Sequence, residues 1–371
     1  MENGLNCERS PKLLELLELL KKYSYSDKIM FGQQNAGHIG VTISTNDGTE
    51  SDCRNLCGKH PAVVGVDTLG FLGYEGKMAD LIKTVKNLHK QGCIVMLSSH
   101  MPNFTLGGEE FYDFSPNYTD GDCAHRIMDG GDLNAKYLRF LDLIAEFADK
   151  CVDLEGDPIP MIFRPFHEDN GDWFWWGRKY LDDVDFVKLF RYTIDYLTHV
   201  KGIRNLAVAY SPNGPVESGE EYFERYPGDD YVDVMGLDYY HDSPHAGDGY
   251  FKRLQTSLDI IAQCARLHDK VVALTETGYR ALETPEGYFE GLAPSANSDL
   301  NWFTDVLNAL FTSDGGKRCA FMLIWANFSE TQFWLPYEKD GFRHELADNF
   351  VSFADDPRVT MAPAFDFATV V

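Results

Sequence analysis

The chain has 371 residues, 44% hydrophobic and 25% charged, a globular composition with enough apolar material for a rigid core. With 33 basic and 58 acidic side chains it carries a formal charge of −25. That surface repels phosphate backbones and anionic membranes, which excludes nucleic acid and membrane surfaces as partners and suits a neutral substrate.

Ser10 and Pro11 open an amphipathic helix through Leu13–Leu20, the core of an N-terminal lead-in over residues 1–25. Glu15 and Glu18 interrupt its apolar run, so it is no secretory signal, and no stretch reaches membrane-spanning length. The chain reads as cytoplasmic or as a mature form whose signal has been removed. Short apolar runs then follow in order: Ile29–Gly32, Ala62–Asp67, Ile94–Ser99, Met161–His167, Leu206–Ser211, Val232–Leu237, Val271–Glu276 and Phe321–Ala326. Such runs are expected of buried parallel strands. Helical patterns lie between them, among them Met78–Lys90, Lys136–Lys150, Val184–Val200, Tyr250–Leu267 and Leu300–Phe311. Strand then helix, eight times over, predicts an α/β fold, a (β/α)₈ TIM barrel. A doubly wound sheet is the rival, but evenly spread units favour closure. No Pro/Ser/Gly-rich linker appears, so residues 1–371 form one domain with extended loops shaping a cleft.

Eight cysteines are scattered without zinc spacing. Cys53 and Cys57 share one helix face, a weak metal or disulfide signal. Cys93 and Cys319 open strand-like runs and are expected as buried free thiols.

Polar residues cluster where the strand runs end: Gln33, Asp67, His100, His167 with Glu168, Asn213, Asp238-Tyr239-Tyr240, Glu276, and Trp325 with Asn327. In a barrel those ends converge on the face where active sites are built. The long irregular segment Met101–Asp132 is a candidate cleft wall. Glu168 and Glu276, at the ends of the fourth and seventh runs, would face each other across the mouth. Glycosidic hydrolysis needs two such carboxyls, one to protonate the leaving oxygen and one to attack or stabilise the anomeric carbon. On residue type alone their roles are interchangeable. Trp173, Trp175 and Trp176 crowd a Gly-flanked loop beyond Glu168, with one ring expected to be free for stacking on sugar. Trp325 serves either a site floor or the core.

His167-Glu168 suggests a zinc motif, but Gly171 stands where its second histidine belongs. His100 and His241 could still converge on His167, though no spacing supports metal catalysis. Neither a Gly-x-Ser-x-Gly elbow nor a phosphate-cradling loop is present.

The stretch Arg164-Pro165-Phe166-His167-Glu168-Asp169-Asn170-Gly171-Asp172-Trp173-Phe174-Trp175-Trp176-Gly177 resembles the acid/base segment of glycoside hydrolase family 26, retaining (β/α)₈ enzymes dominated by β-mannanases. Leu274-Thr275-Glu276-Thr277-Gly278 is similar to its nucleophile segment, and Gly58–Asp67 to its second strand. The resemblance implies that Glu168 is the acid/base and Glu276 the nucleophile. It further implies that Asp238 and Tyr240 form a pair whose tyrosine bonds the nucleophile, with Tyr239 as fallback. Arg164 orients Glu276, His100 and Asn103 form a substrate subsite, and His167 contacts substrate. Trp173 and Trp325 wall the −1 site. Ser99 departs from the Trp that members often carry before the third-strand histidine, which bears on the glycone subsites.

The implied mechanism is double displacement without a cofactor or metal, with carboxyls about 5–5.5 Å apart. The substrate is β-mannan or manno-oligosaccharide, the acting species a monomer, and the location, inferred from that substrate, extracytoplasmic. Three rivals stand beside it: cleavage of mixed-linkage β-glucan or β-1,3-xylan, a non-catalytic glycan-binding barrel, and a metabolic barrel for a phosphorylated substrate. The last is weakened by the missing phosphate loop.

Overall fold

Eight strands pair in parallel around a closed circle in the computed structural model, which describes residues 4–73, 77–107, 115–284 and 286–365. Numbered in chain order, the barrel strands are β1 Ile29–Gln34, β2 Val63–Asp67, β3 Ile94–Ser99, β4 Met161–Pro165, β5 Leu206–Tyr210, β6 Val234–Asp242, β7 Val271–Arg280 and β8 Cys319–Ile324. Neighbours in sequence are neighbours in space, and β8 closes on β1 with Met30 opposite Phe321 and Gln33 opposite Ile324. Helices on the outside link the strands, so the chain is a (β/α)₈ barrel.

Two apolar cores follow from the period-two alternation of each strand. One set of side chains, including Met30, Met96, Ile162, Ala209, Ala273 and Leu323, fills the barrel interior and meets Leu13, Leu16 and Leu20 of the N-terminal helix Pro11–Tyr23. That helix starts where the Ser10 hydroxyl accepts from the Leu13 amide, with Pro11 at its first position, and its leucines plug the barrel's lower end. The alternate set, such as Phe31, Val66, Leu97, Phe163 and Leu237, packs under the outer helices.

The helices Met78–Lys90 and Tyr250–Leu267 have the expected bounds, and Asp183–Asp195 continues into a π turn at Tyr196–Val200. Strand ends differ more. β4 stops at Pro165, so His167 lies beyond it, because Phe166 and Glu168 take left-handed backbone at φ 49° and 52°. β6 and β7 run past their expected ends because their pairing continues to Asp242 opposite Arg280. Across this pair Leu237 faces Leu274 but Asp238 faces Glu276, leaving Thr275 as an extra residue. This β-bulge shifts the alternation by one, so that Thr275 and Glu276 both turn toward the barrel axis.

In the segment 101–132, residues 108–114 lie outside the described residues, and a short helix occupies Cys123–Ile127. All eight cysteines are free. The sulfurs of Cys53 and Cys57 are 3.8 Å apart on the helix Asp52–Cys57, and Cys93 and Cys319 are buried. Among the described residues no helix is long and apolar enough to cross a membrane.

Candidate active site

Above the apolar interior the barrel carries a polar layer, built by inward residues one step closer to the strands' carboxyl ends. Arg164 of β4 is fully buried there. Its Nη1 donates to Asp238 Oδ2 at 2.6 Å and its Nη2 to Glu276 Oε2 at 2.5 Å. Thr275, inward by the same alternation as Ala273, donates its hydroxyl to Asp238 Oδ1 at 2.7 Å. Burial opposes the guanidinium charge, but Asp238 and then Glu276 outweigh it and hold Arg164 more firmly protonated than usual. A buried cation with two carboxylate partners is fixed in place, since breaking such a pair leaves an uncompensated charge.

Glu276 therefore receives two donors. Tyr240, from β6, gives its hydroxyl to Oε1 at 2.5 Å, while Arg164 holds Oε2. The Arg280 guanidinium lies over the Tyr240 ring at 4.5 Å and forks onto Asp242 at 2.5 and 2.9 Å. Glu276 is 5% exposed, at the bottom of a cavity of about 540 Å³.

Glu168 sits in a different setting. The Trp173 indole donates to its Oε2 at 2.7 Å, and its backbone is clamped because Glu168 N–H donates to the Ser211 carbonyl at 2.8 Å. Burial first, and then the charge of Glu276, push the Glu168 carboxyl up to about 7.

His100 follows β3 and bonds Asp67 Oδ2 through Nδ1 at 2.7 Å, while its Nε2 meets His167 Nε2 at 3.2 Å. Burial opposes protonation of His100, but Asp67 raises it above the ordinary histidine value. Burial and the nearby Arg164 charge hold the His167 imidazole well below the ordinary histidine value. Trp325 stands edge-on to His100 at 5.5 Å between ring centres.

Of the residues expected from sequence, Glu168, Glu276, His100, His167, Tyr240 and Trp325 line one cavity. Four others do not. Arg164 and Asp238 lie beneath it with no exposed surface, spent on each other and on Glu276. Asn103 is also buried away from it, because its amide is taken by the Tyr118 carbonyl at 2.6 Å and its oxygen by Thr105. Trp173 reaches the cavity through Glu168. Of its neighbours, Trp175 and Trp176 are buried, with indole N–H groups on the Met101 and His167 carbonyls, and Phe174 is the ring of this cluster that lines the cavity. His241 does not join His100 and His167: it bonds Asp248 at 2.6 Å and stacks on Tyr250. Among the described residues no three His, Cys, Asp or Glu side chains group as metal ligands would.

Sequence reasoning passed over Gln34, Phe174, Arg280 and Trp334 as site residues, although all of them line the cavity, as does Asp67. Alternation from Met30 would have pointed inward to Gln34, and the strand-end position marked Asp67 without naming its partner. Trp334 comes from the irregular loop after β8 and carries no periodic signal. From the segment 101–132, Pro116 and Asn117 line the cavity.

The glycosyl hydrolase family 26 model matches residues 6–278 of the chain. The chain belongs to that family. A mannan endo-1,4-β-mannosidase of Bifidobacterium adolescentis is 33% identical over 88% of this chain, which spans only 32% of that relative's length. A modular endo-β-1,4-mannanase from Cellulomonas fimi superposes with a TM-score of 0.87 at 32% identity, over 99% of this chain and 79% of that one. The catalytic domain of a Bacillus sp. JAMB-750 endo-β-1,4-mannanase gives 0.86 at 35% identity, over 96% and 93%. This family 26 chain thus spans about a third of the length of the Bifidobacterium relative, while it covers most of each of the two solved mannanases.

Proposed function

We infer that the chain hydrolyses β-1,4-mannosidic bonds in mannan, galactomannan or glucomannan, by double displacement with retention. The observation that carries the chemistry is the unequal setting of two carboxyls in one cavity. Glu276 takes donors from Arg164 and Tyr240, which suit an ionised nucleophile, while Glu168 has its pKa raised to about 7 and suits a proton donor. In the first step Glu276 attacks the anomeric carbon as Glu168 protonates the departing oxygen. In the second, Glu168 takes a proton from water, which displaces Glu276 and releases the sugar in its original configuration.

The other groups bind and orient. Trp325 and Phe174 offer ring faces or edges to a sugar, and the His100–Asp67 pair offers polar contacts on the β2–β3 side. Trp334 adds a further indole to the cavity lining. Arg164 and Asp238 act through Glu276 rather than on substrate. Every group named comes from one chain, so a monomer suffices. A polymeric substrate places the enzyme outside the cytoplasm.

The mannan assignment draws on the named activities of the relatives. Product profiles on galactomannan, glucomannan and mixed-linkage β-glucan test it. Manno-oligosaccharides from the first two are expected, and activity confined to the last would overturn it.

A further inference from the structure

Behind Glu168, on the side away from the cavity, lies a charged pair for which the reaction has no direct use. Asp169 is fully buried, and neither of its carboxylate oxygens has a hydrogen-bond partner among the described residues. Arg225, 1% exposed, stands with Nε 3.7 Å from Asp169 Oδ2 and 3.3 Å from Asp183 Oδ1. Its guanidinium donates to three main-chain carbonyls: Asp169, Trp176 at 3.2 Å and Leu181 at 2.9 Å. It also lies 4.0 Å over the Phe186 ring.

These carbonyls belong to the loop that carries Glu168. The turn is strained, because Phe166 and Glu168 both sit at positive φ without being glycine, a conformation that persists only where surroundings enforce it. Two clamps enforce it from the β5 end, the Glu168 N–H to the Ser211 carbonyl and a reciprocal pair between Asn170 and Asn213 at 2.8 Å each. Arg225 supplies a third, from below, with a planar fork that reaches three carbonyls of one loop. Asp169, itself buried, offsets the guanidinium charge. Burial pushes the Asp169 carboxyl up to about 7, with the Arg225 charge opposing.

We propose that Arg225 and Asp169 are a positioning pair that holds the strained turn in the one shape that aims the Glu168 carboxyl at the leaving oxygen. This rests on Glu168 being the acid/base. Neither residue lines the cavity, so the pair governs proton delivery without contributing to substrate binding. Arg225→Lys keeps the charge and loses the fork. Asp169→Asn keeps the shape and loses the charge.

The test compares leaving groups. Release of a dinitrophenolate from a dinitrophenyl β-mannobioside needs no proton, whereas release of a sugar from mannohexaose does. Both variants, with Glu168→Ala beside them, are assayed for kcat/KM on both substrates. The expected result is a fall of roughly 10- to 100-fold on mannohexaose for Arg225→Lys, the scale of a small misplacement of a catalytic group. Asp169→Asn falls in the same direction, and both variants hold within about twofold on the aryl substrate. The ratio of the two values belongs to the folded fraction, so partial unfolding leaves it unchanged. Equal falls on both substrates, or no fall on either, while Glu168→Ala shows the split, would overturn the positioning role. If Glu168→Ala itself shows no split, the acid/base reading fails first and takes the proposal with it.

Discussion

Glu168 and Glu276 are the same residue type in one cavity, and their surroundings separate them. The first step needs a protonated Glu168, whose carboxyl is raised to about 7 by burial and the Glu276 charge. Activity is therefore present below that value and lost as pH rises through it. The alkaline limb of kcat/KM is expected near 7, and a limb at the ordinary carboxylate value contradicts the assignment. Tyr240→Phe removes the donor on Glu276 Oε1. Losing one aligned donor of this kind is expected to lower kcat roughly 10²–10³-fold with the fold intact, checked by steady-state kinetics beside circular dichroism. The two glutamates were legible because strand ends in a barrel converge. The partners of Asn103 and Asp238, a loop carbonyl and a buried guanidinium, were not legible because they exist only in the tertiary structure.

At the scale of elements, the strands were legible because a buried parallel strand is a contiguous apolar run, and the long or capped helices declared themselves by period. Strand ends were not. β6 and β7 stay paired through polar residues as far as Asp242 and Arg280, and the bulge at Thr275 leaves no composition mark. The hairpin Leu282–Thr284 with Gly287–Phe289 is too short to show a pattern. Gly278 probes the β7 rim. A Cβ there would stand 2.5 Å from Trp334 Cδ1 and 3.1 Å from Tyr240 Cε1. Gly278→Ala is expected to cost about 1–3 kcal/mol by overpacking and to raise KM for mannan by displacing those rings. Thermal denaturation and KM check it, and wild-type values of both contradict the placement of Trp334.

For the whole molecule, a charge of −25 surrounds a site whose proposed substrate is neutral. Salt then screens no steering field, and kcat/KM on galactomannan is expected to change less than about twofold between low and molar salt. A steep salt dependence would point to a charged substrate instead. The closed barrel brings β4 and β7 to one mouth, and the central claim is the division of labour across it. Its most direct measurement is trapping with a fluorinated, activated β-mannoside whose glycosyl-enzyme turns over slowly, followed by peptide mass spectrometry. The adduct is expected on the peptide containing Glu276, attached through that carboxylate. An adduct on Glu168, or no adduct with a first product of inverted configuration, would contradict the mechanism.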